Sequence, residues 1–410
     1  ERCPGGSQLE RMENDENQLH GRVAAGWEPV RDAFEANFRE RGEVGAAVSV
    51  THDGATVVDL WGGTIDRDGT PWAEDTLVTV FSSTKGGVAL AAHLLADRGE
   101  LDLDAPVAEL WPDFASRGKE EVTNKMMLNH TAGVPTFKDP LPEMAAMDWD
   151  LMCDRLAAEE PWWEPGTRNG YHMLTFGWTA GELVRQASGR SLGGFFAEEV
   201  AAPAGADFYI GLPESEHHRV AKVIPYKAKH GEDFGEFTKA LLADRESLQN
   251  KAWLNQGGFD PNSPDTWSAE IGGGGGVANA RGLAATYRSA ALGEFVGEQQ
   301  ARRMSRVSVA TERDATLLLP TRFGEGFMLS MDNRRRPFGD TDSAIIGPRA
   351  FGHVGAGGSI GFADPDVAMS MGYAMNQMGK GILMNDRGQS LIDAAYRCVG
   401  CTSNDSGAWA

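Results

Sequence analysis

Apolar runs of period two lie near both ends of this chain and helical spacing fills its middle, an order that few architectures satisfy. Ala46–Trp61 alternates around Asp53-Gly54, a dipeptide suited to a two-residue hairpin turn. Val30, Phe34 and Phe38 recur every four residues and predict a helix over 26–42 that stops at Gly42. Further helices are predicted after Ser82, over Thr179–Ala187 and over Leu192–Val200; Asn279 is placed to cap another at Arg281–Leu292. Strands return at Thr316–Leu319, Gly326–Met331, Ala350–Val354, Gly361–Asp364 and Val367–Asn376, before a last helix at Ser390–Arg397. The expected fold is α+β. An antiparallel sheet is built from N- and C-terminal segments and flanked by helices, with a mostly helical inserted domain. The expected boundaries are a discontinuous α/β domain over 12–90 and 205–400, a helical domain over 91–204, and tails at 1–11 and 401–410. The polar stretch 228–270 is the expected mobile insertion over a site.

Composition narrows the partners. With 59 acidic against 38 basic residues the net charge is -21, which argues against nucleic acid and anionic membranes, since both need clustered cations. The acidity reads as a solubility feature. No apolar run approaches the ~20 residues that span a bilayer, and the first twenty residues lack a signal-peptide core. The expected compartment is cytoplasmic, with an exported, already processed form as the alternative. Glu1–Arg11 reads as a remnant, with Met12 a candidate native start. Four cysteines are too few for a disulfide scaffold. Cys398-Val-Gly-Cys401 has no second Cys/His pair to complete a zinc site, so neither metal nor cofactor is expected.

The chemistry begins at Leu77-Val-Thr-Val-Phe-Ser82-Ser-Thr-Lys85. An apolar run ends at a serine, a lysine follows three residues later, and an alanine-rich helix pattern begins. Residues i and i+3 share a helix face, and the unpaired N–H groups at a helix start favour developing negative charge. A serine needs its proton removed to become a nucleophile, and an amine desolvated in an apolar setting can take it. The bland alternative is a plain N-cap serine. Ser116-Arg-Gly-Lys119 repeats the spacing in a polar stretch, with glycine between the pair and no apolar lead-in.

Three more motifs follow in order: Leu128-Asn-His130-Thr-Ala-Gly-Val-Pro135, Pro165-Gly-Thr-Arg-Asn-Gly-Tyr171-His, and Gly352-His353-Val-Gly355-Ala-Gly-Gly. With Ser82-Ser-Thr-Lys85 they resemble family VIII carboxylesterases, whose fold is similar to that of class C β-lactamases and penicillin-binding DD-peptidases. The resemblance runs from about residue 20 to residue 397. It implies Ser82 as the acyl-accepting nucleophile, with Lys85 and Tyr171 sharing its proton and passing one to the leaving alcohol, as a tyrosinate beside an ammonium. It also implies an oxyanion hole from the N–H groups of Ser82 and Ala356. His353, Gly355, Trp163 and Met173 are the residues expected to line the substrate pocket. On their own, Tyr171 reads as packing, His130 as a structural histidine and Trp162-Trp163 as core, while Gly272–Gly276 lets a loop approach the site.

Two departures from the β-lactamase pattern bear on substrate. The third motif there begins with lysine, where this chain has His353, and the second is Tyr-x-Asn, where this chain has Tyr171-His172-Met173. Both changes remove polar recognition of β-lactams and of peptide carboxylates. The expectation is therefore a serine carboxylesterase acting on small, neutral, short-acyl esters. Hydrolysis of a β-lactam or a D-amino-acid amide or peptide, and acyl transfer to an alcohol, are its rivals. Gly357-Gly-Ser359-Ile-Gly361 satisfies G-x-S-x-G, but no histidine follows it as the α/β-hydrolase order demands. Ser359 is expected to be structural.

Overall fold

The computed structural model describes residues 9–14, 19–337 and 341–410. Seven antiparallel strands form its main sheet, in the order Leu9–Asn14, Leu19–Ala24, Ala55–Gly63, Gly45–His52, Met369–Met375, Ile360–Asp364 and Phe351–Val354. The hairpin turn is as expected: Asp53 and Gly54 both take positive φ, 48° and 79°, the geometry of the tight turn that matches strand twist. The sheet is thus assembled from both chain ends, with Val50 paired to Met371 at the junction.

Alternation within Met369–Met375 explains the layers. Met369, Met371, Tyr373 and Met375 belong to a core with Val30, Phe34, Leu391 and Tyr396, from the helices Glu28–Glu40 and Asp386–Cys398. The intervening Ser370, Gly372 and Ala374 are small. Helix Ala280–Ala291 packs on that face, where Ser370 Oγ donates to the Ala284 carbonyl at 2.8 Å. Asn279 caps this helix by accepting from Gly282 N at 2.7 Å.

Helix Ser83–Asp97 is buried on nearly every side. It packs against Phe176–Ser188 and strand Phe351–Val354, so it joins the helical segments to the sheet. A helix apolar all round belongs in a core.

Four expectations need correction. Leu9–Asn14 is an edge strand, so the N-terminal tail does not reach residue 11; residues 1–8 of it lie outside the described residues. The C-terminal tail is anchored: Trp409 is buried, stacks on Tyr396, and donates from its backbone N–H to Ile346 O at 3.1 Å. Residues 228–270 hold helices Glu236–Ala243, Leu248–Leu254 and Pro264–Ser268, pinned by Gln249 to the carbonyls of Ala315 and Thr316. Thr316–Leu319 and Gly326–Met331 are not strands; the latter makes only isolated bridges at Met328 and Met331. Among the described residues no helix is long and apolar enough to cross a membrane.

Candidate active site

Ser82 sits at a sharp reversal. Strand Val78–Thr79 pairs with Val277–Ala278, and Val80 N donates to Gly276 O at 2.9 Å. The chain then turns through Phe81 at φ 47°, a left-handed conformation that is strained for a bulky residue and typical of functional sites. Ser82 occupies the N-cap position of the next helix, yet its side chain makes no capping hydrogen bond. The N-cap reading is therefore set aside, and the hydroxyl is left for chemistry.

Lys85 lies one helical turn on, fully buried. Its Nζ is 3.0 Å from Ser82 Oγ and donates to the carbonyls of Met173 and Gly273. Burial pulls its pKa well below the usual lysine value. A neutral amine has two N–H bonds and one lone pair. Two carbonyls that only accept take the two N–H bonds, so the lone pair faces the Ser82 hydroxyl.

Tyr171 closes the third side. It is 5% exposed, and Lys85 Nζ stands 4.8 Å from its ring centroid. Burial drives the phenol pKa up; a hydrogen bond with Ser82 opposes this, and the Asp314 charge adds to it. Desolvation thus works against the expected tyrosinate–ammonium pair, because it disfavours both charges. The Tyr171 ring stacks on Phe323 at 5.9 Å and 11° and lies 4.8 Å from His130.

The histidines are uncharged scaffolding. His172 donates from Nδ1 to Gly170 O at 2.8 Å and accepts at Nε2 from Val134 N; burial lowers its pKa to about 4. His130 accepts from His172 N at Nδ1. His353 is buried and donates from Nδ1 to Val354 O at 2.8 Å. Its Nε2 has no partner among the described residues, and burial holds its pKa well below the usual value.

The oxyanion candidates rest on one another. Gly355 is buried, and a Cβ there would meet Val80 O and Ser359 Oγ, each at 2.2 Å. Gly355 thus packs the two turns together. Among the described residues, the N–H groups of Ser82 and Ala356 donate to nothing within the protein, and Ala356 is partly exposed. Ser359 is structural, as expected: its hydroxyl donates to Val80 O.

Met173 contributes its carbonyl to Lys85 and is itself buried. Trp163 lies half-buried against Gly170 and edge-on to His172 at 6.2 Å. The rival Ser116/Lys119 pair is not a site. Arg117 takes φ 54°, which breaks the helical turn, and Lys119 Nζ donates to the carbonyls of Ala157 and Glu159.

Two contributors escaped sequence reasoning. Gly273 acts through its carbonyl; the glycine run pointed to a close approach but not to a lysine contact. Asp314 is fully buried and takes the Tyr171 N–H on both carboxylate oxygens, at 3.0 and 3.1 Å. Its neighbours Glu312 and Arg313 gave no sign of burial.

Known proteins share this fold. The family model described as Beta-lactamase matches residues 30–395. The chain is 33% identical over 365 residues to the esterase/beta-lactamase LipL of Mycobacterium tuberculosis, covering 86% of this chain and 82% of that protein. A family VIII carboxylesterase of known structure superposes with a TM-score of 0.80 at 38% identity, over 93% of this chain and 99% of the other. A penicillin-binding protein homologue from Caulobacter crescentus gives 0.82 at 34% identity, over 93% and 99%. With the family model spanning residues 30–395, this protein belongs to the Beta-lactamase family.

Proposed function

We propose that this protein is a serine carboxylesterase that hydrolyses small, neutral, short-acyl esters through an acyl-enzyme on Ser82. The observation that carries the reading is Ser82 Oγ standing 3.0 Å from a buried amine whose N–H bonds are held by carbonyls. Lys85 takes the serine proton as Oγ bonds to the ester carbon, and the N–H groups of Ser82 and Ala356 receive the oxyanion. Two such donors are worth about 3 kcal/mol each to the barrier. The proton then passes by way of Tyr171 to the alcohol oxygen as the C–O bond breaks. Water repeats the sequence in reverse roles and frees the acid.

Substrate choice follows from what faces the serine. His353 is neutral and Met173 stands where an asparagine would grip an amide, so nothing there offers a fixed cation to a substrate carboxylate. The likeness to a family VIII carboxylesterase supports ester over amide. The relative whose name joins esterase with beta-lactamase gives the second reading, turnover of a β-lactam.

Intact-protein mass spectrometry after brief exposure to a short-chain nitrophenyl ester, with mapping of the adduct, tests the reading. An acyl group on Ser82 is expected, and ester turnover well above nitrocefin turnover. An adduct elsewhere, or none, overturns the mechanism; nitrocefin turnover matching ester turnover promotes the second reading. A new ester product on adding alcohols assigns acyl transfer instead.

A further inference from the structure

Asp314 belongs to a segment that grips the loop bearing Tyr171 from outside the recognised motifs. Its carboxylate accepts the Tyr171 N–H on both oxygens, and Oδ1 also accepts from Thr316 N and Leu317 N at 2.8 Å. Two further links run between the same segments: Ala315 N donates to Asn169 O at 2.9 Å, and Thr321 Oγ1 to Asn169 Oδ1 at 3.0 Å. Two residues beyond Thr321, Phe323 supplies the ring on which Tyr171 stacks. One segment therefore fixes both the main chain and the ring plane of Tyr171.

We propose that Asp314 is a positioning residue, its carboxylate holding the Tyr171 main chain so that the phenol meets Ser82. The inference rests on the reading of Tyr171 as the proton carrier. Packing alone does not account for a carboxylate here. Asp314 is fully buried and no cation pairs with it among the described residues. An ion in that setting costs stability that a neutral amide of the same shape would not. Burial accordingly raises its pKa to about 6. The groups facing it are the N–H groups of Tyr171, Thr316 and Leu317 and the Thr321 hydroxyl; Tyr171 is the titratable one. The negative charge favours the protonated phenol, the form that delivers a proton to a leaving alcohol.

The experiment is a double-mutant cycle with Asp314→Asn and Tyr171→Phe, reading kcat and KM for a short-chain nitrophenyl ester across pH, with melting temperature as a check on folding. Asparagine keeps an acceptor at Oδ1, so the variant folds. Its kcat is expected to fall about tenfold with KM little changed, and the step in the wild-type pH profile centred near pH 6 is expected to disappear, leaving the acid limb that Lys85 sets. In the Tyr171→Phe background the asparagine change is expected to have no further effect. Wild-type kcat and pH profile in Asp314→Asn, or full additivity with a slow Tyr171→Phe, overturns the proposal while leaving the esterase reading intact. Wild-type turnover by Tyr171→Phe overturns the proton-carrier reading and this inference with it.

Discussion

Ser359 Oγ donates to the carbonyl of Val80 at 2.9 Å, and Ser83 Oγ donates to Ser359 at 3.1 Å. The turn that carries Ala356 is thereby tied to the turn that carries Ser82. Ser359→Ala leaves Val80 O its bond from Ser83 N, so a loss of about 1 kcal/mol of stability is expected. Ester turnover should drop less than tenfold, as misalignment and not loss of a nucleophile would produce. Loss of fluorophosphonate labelling in this variant would instead make Ser359 the reacting group.

Lys85→Arg separates charge from basicity. A guanidinium stays protonated and has no lone pair to offer, so kcat/KM should fall by about 10⁴-fold although the positive form is well supplied with acceptors. In the wild type, the depressed pKa of Lys85 keeps the amine free to well below the usual lysine value. Activity is therefore expected to fall as pH drops through this lowered value and the lone pair is taken. Near-normal hydrolysis by the arginine variant would show that another base serves Ser82.

Gly355→Ala probes the oxyanion turn. The added methyl meets Val80 O and Ser359 Oγ at 2.2 Å, backbone on one side and a committed hydroxyl on the other. Overpacking of this kind costs about 1–3 kcal/mol. Displacing the Ala356 N–H should lower kcat about 10²-fold or more. Steady-state kinetics beside thermal melts decides it: a destabilised enzyme with unchanged kcat would remove Ala356 from the oxyanion hole.

A histidine far from the chemistry sets part of the acid limit of stability. His93 donates from Nε2 to Glu325 O, accepts at Nδ1 from Gln300, and burial lowers its pKa to about 4. Because the folded value lies below the unfolded 6.5, its contribution is full above pH 6.5 and is lost as pH falls toward 4. The loss amounts to at most about 3 kcal/mol. Relative to His93→Gln, the wild type should therefore lose more melting temperature between pH 7 and pH 4.5. Parallel curves for the two proteins would contradict it.

Local patterns made some elements readable. Every-fourth-residue spacing gave the Glu28–Glu40 helix, Asp53-Gly54 gave the hairpin, and Asn279 gave a cap. Ser82 and Lys85 were legible because their relation is one turn of one helix, and Tyr171 because it follows Pro165-Gly-Thr in a family motif. Thr316–Leu319 misled because its apolar run suits a strand. The Asp314 carboxylate captures the N–H groups of Thr316 and Leu317, and Leu318 turns at φ 61°. Residues 228–270 misled because their helices are short and polar. Gly273 and Asp314 act on the site through a carbonyl and through a neighbour's N–H, contacts that leave no local spacing to read.

The pairing of Gly45–His52 with Met369–Met375 has a bearing on synthesis. A chain leaving the ribosome cannot complete this strand pair until Met375 has emerged, and contacts so distant in sequence form slowly. The turn bearing Ala356 arrives late as well. A growing polypeptide therefore carries Ser82 for a long interval before the turn bearing Ala356 exists to meet it.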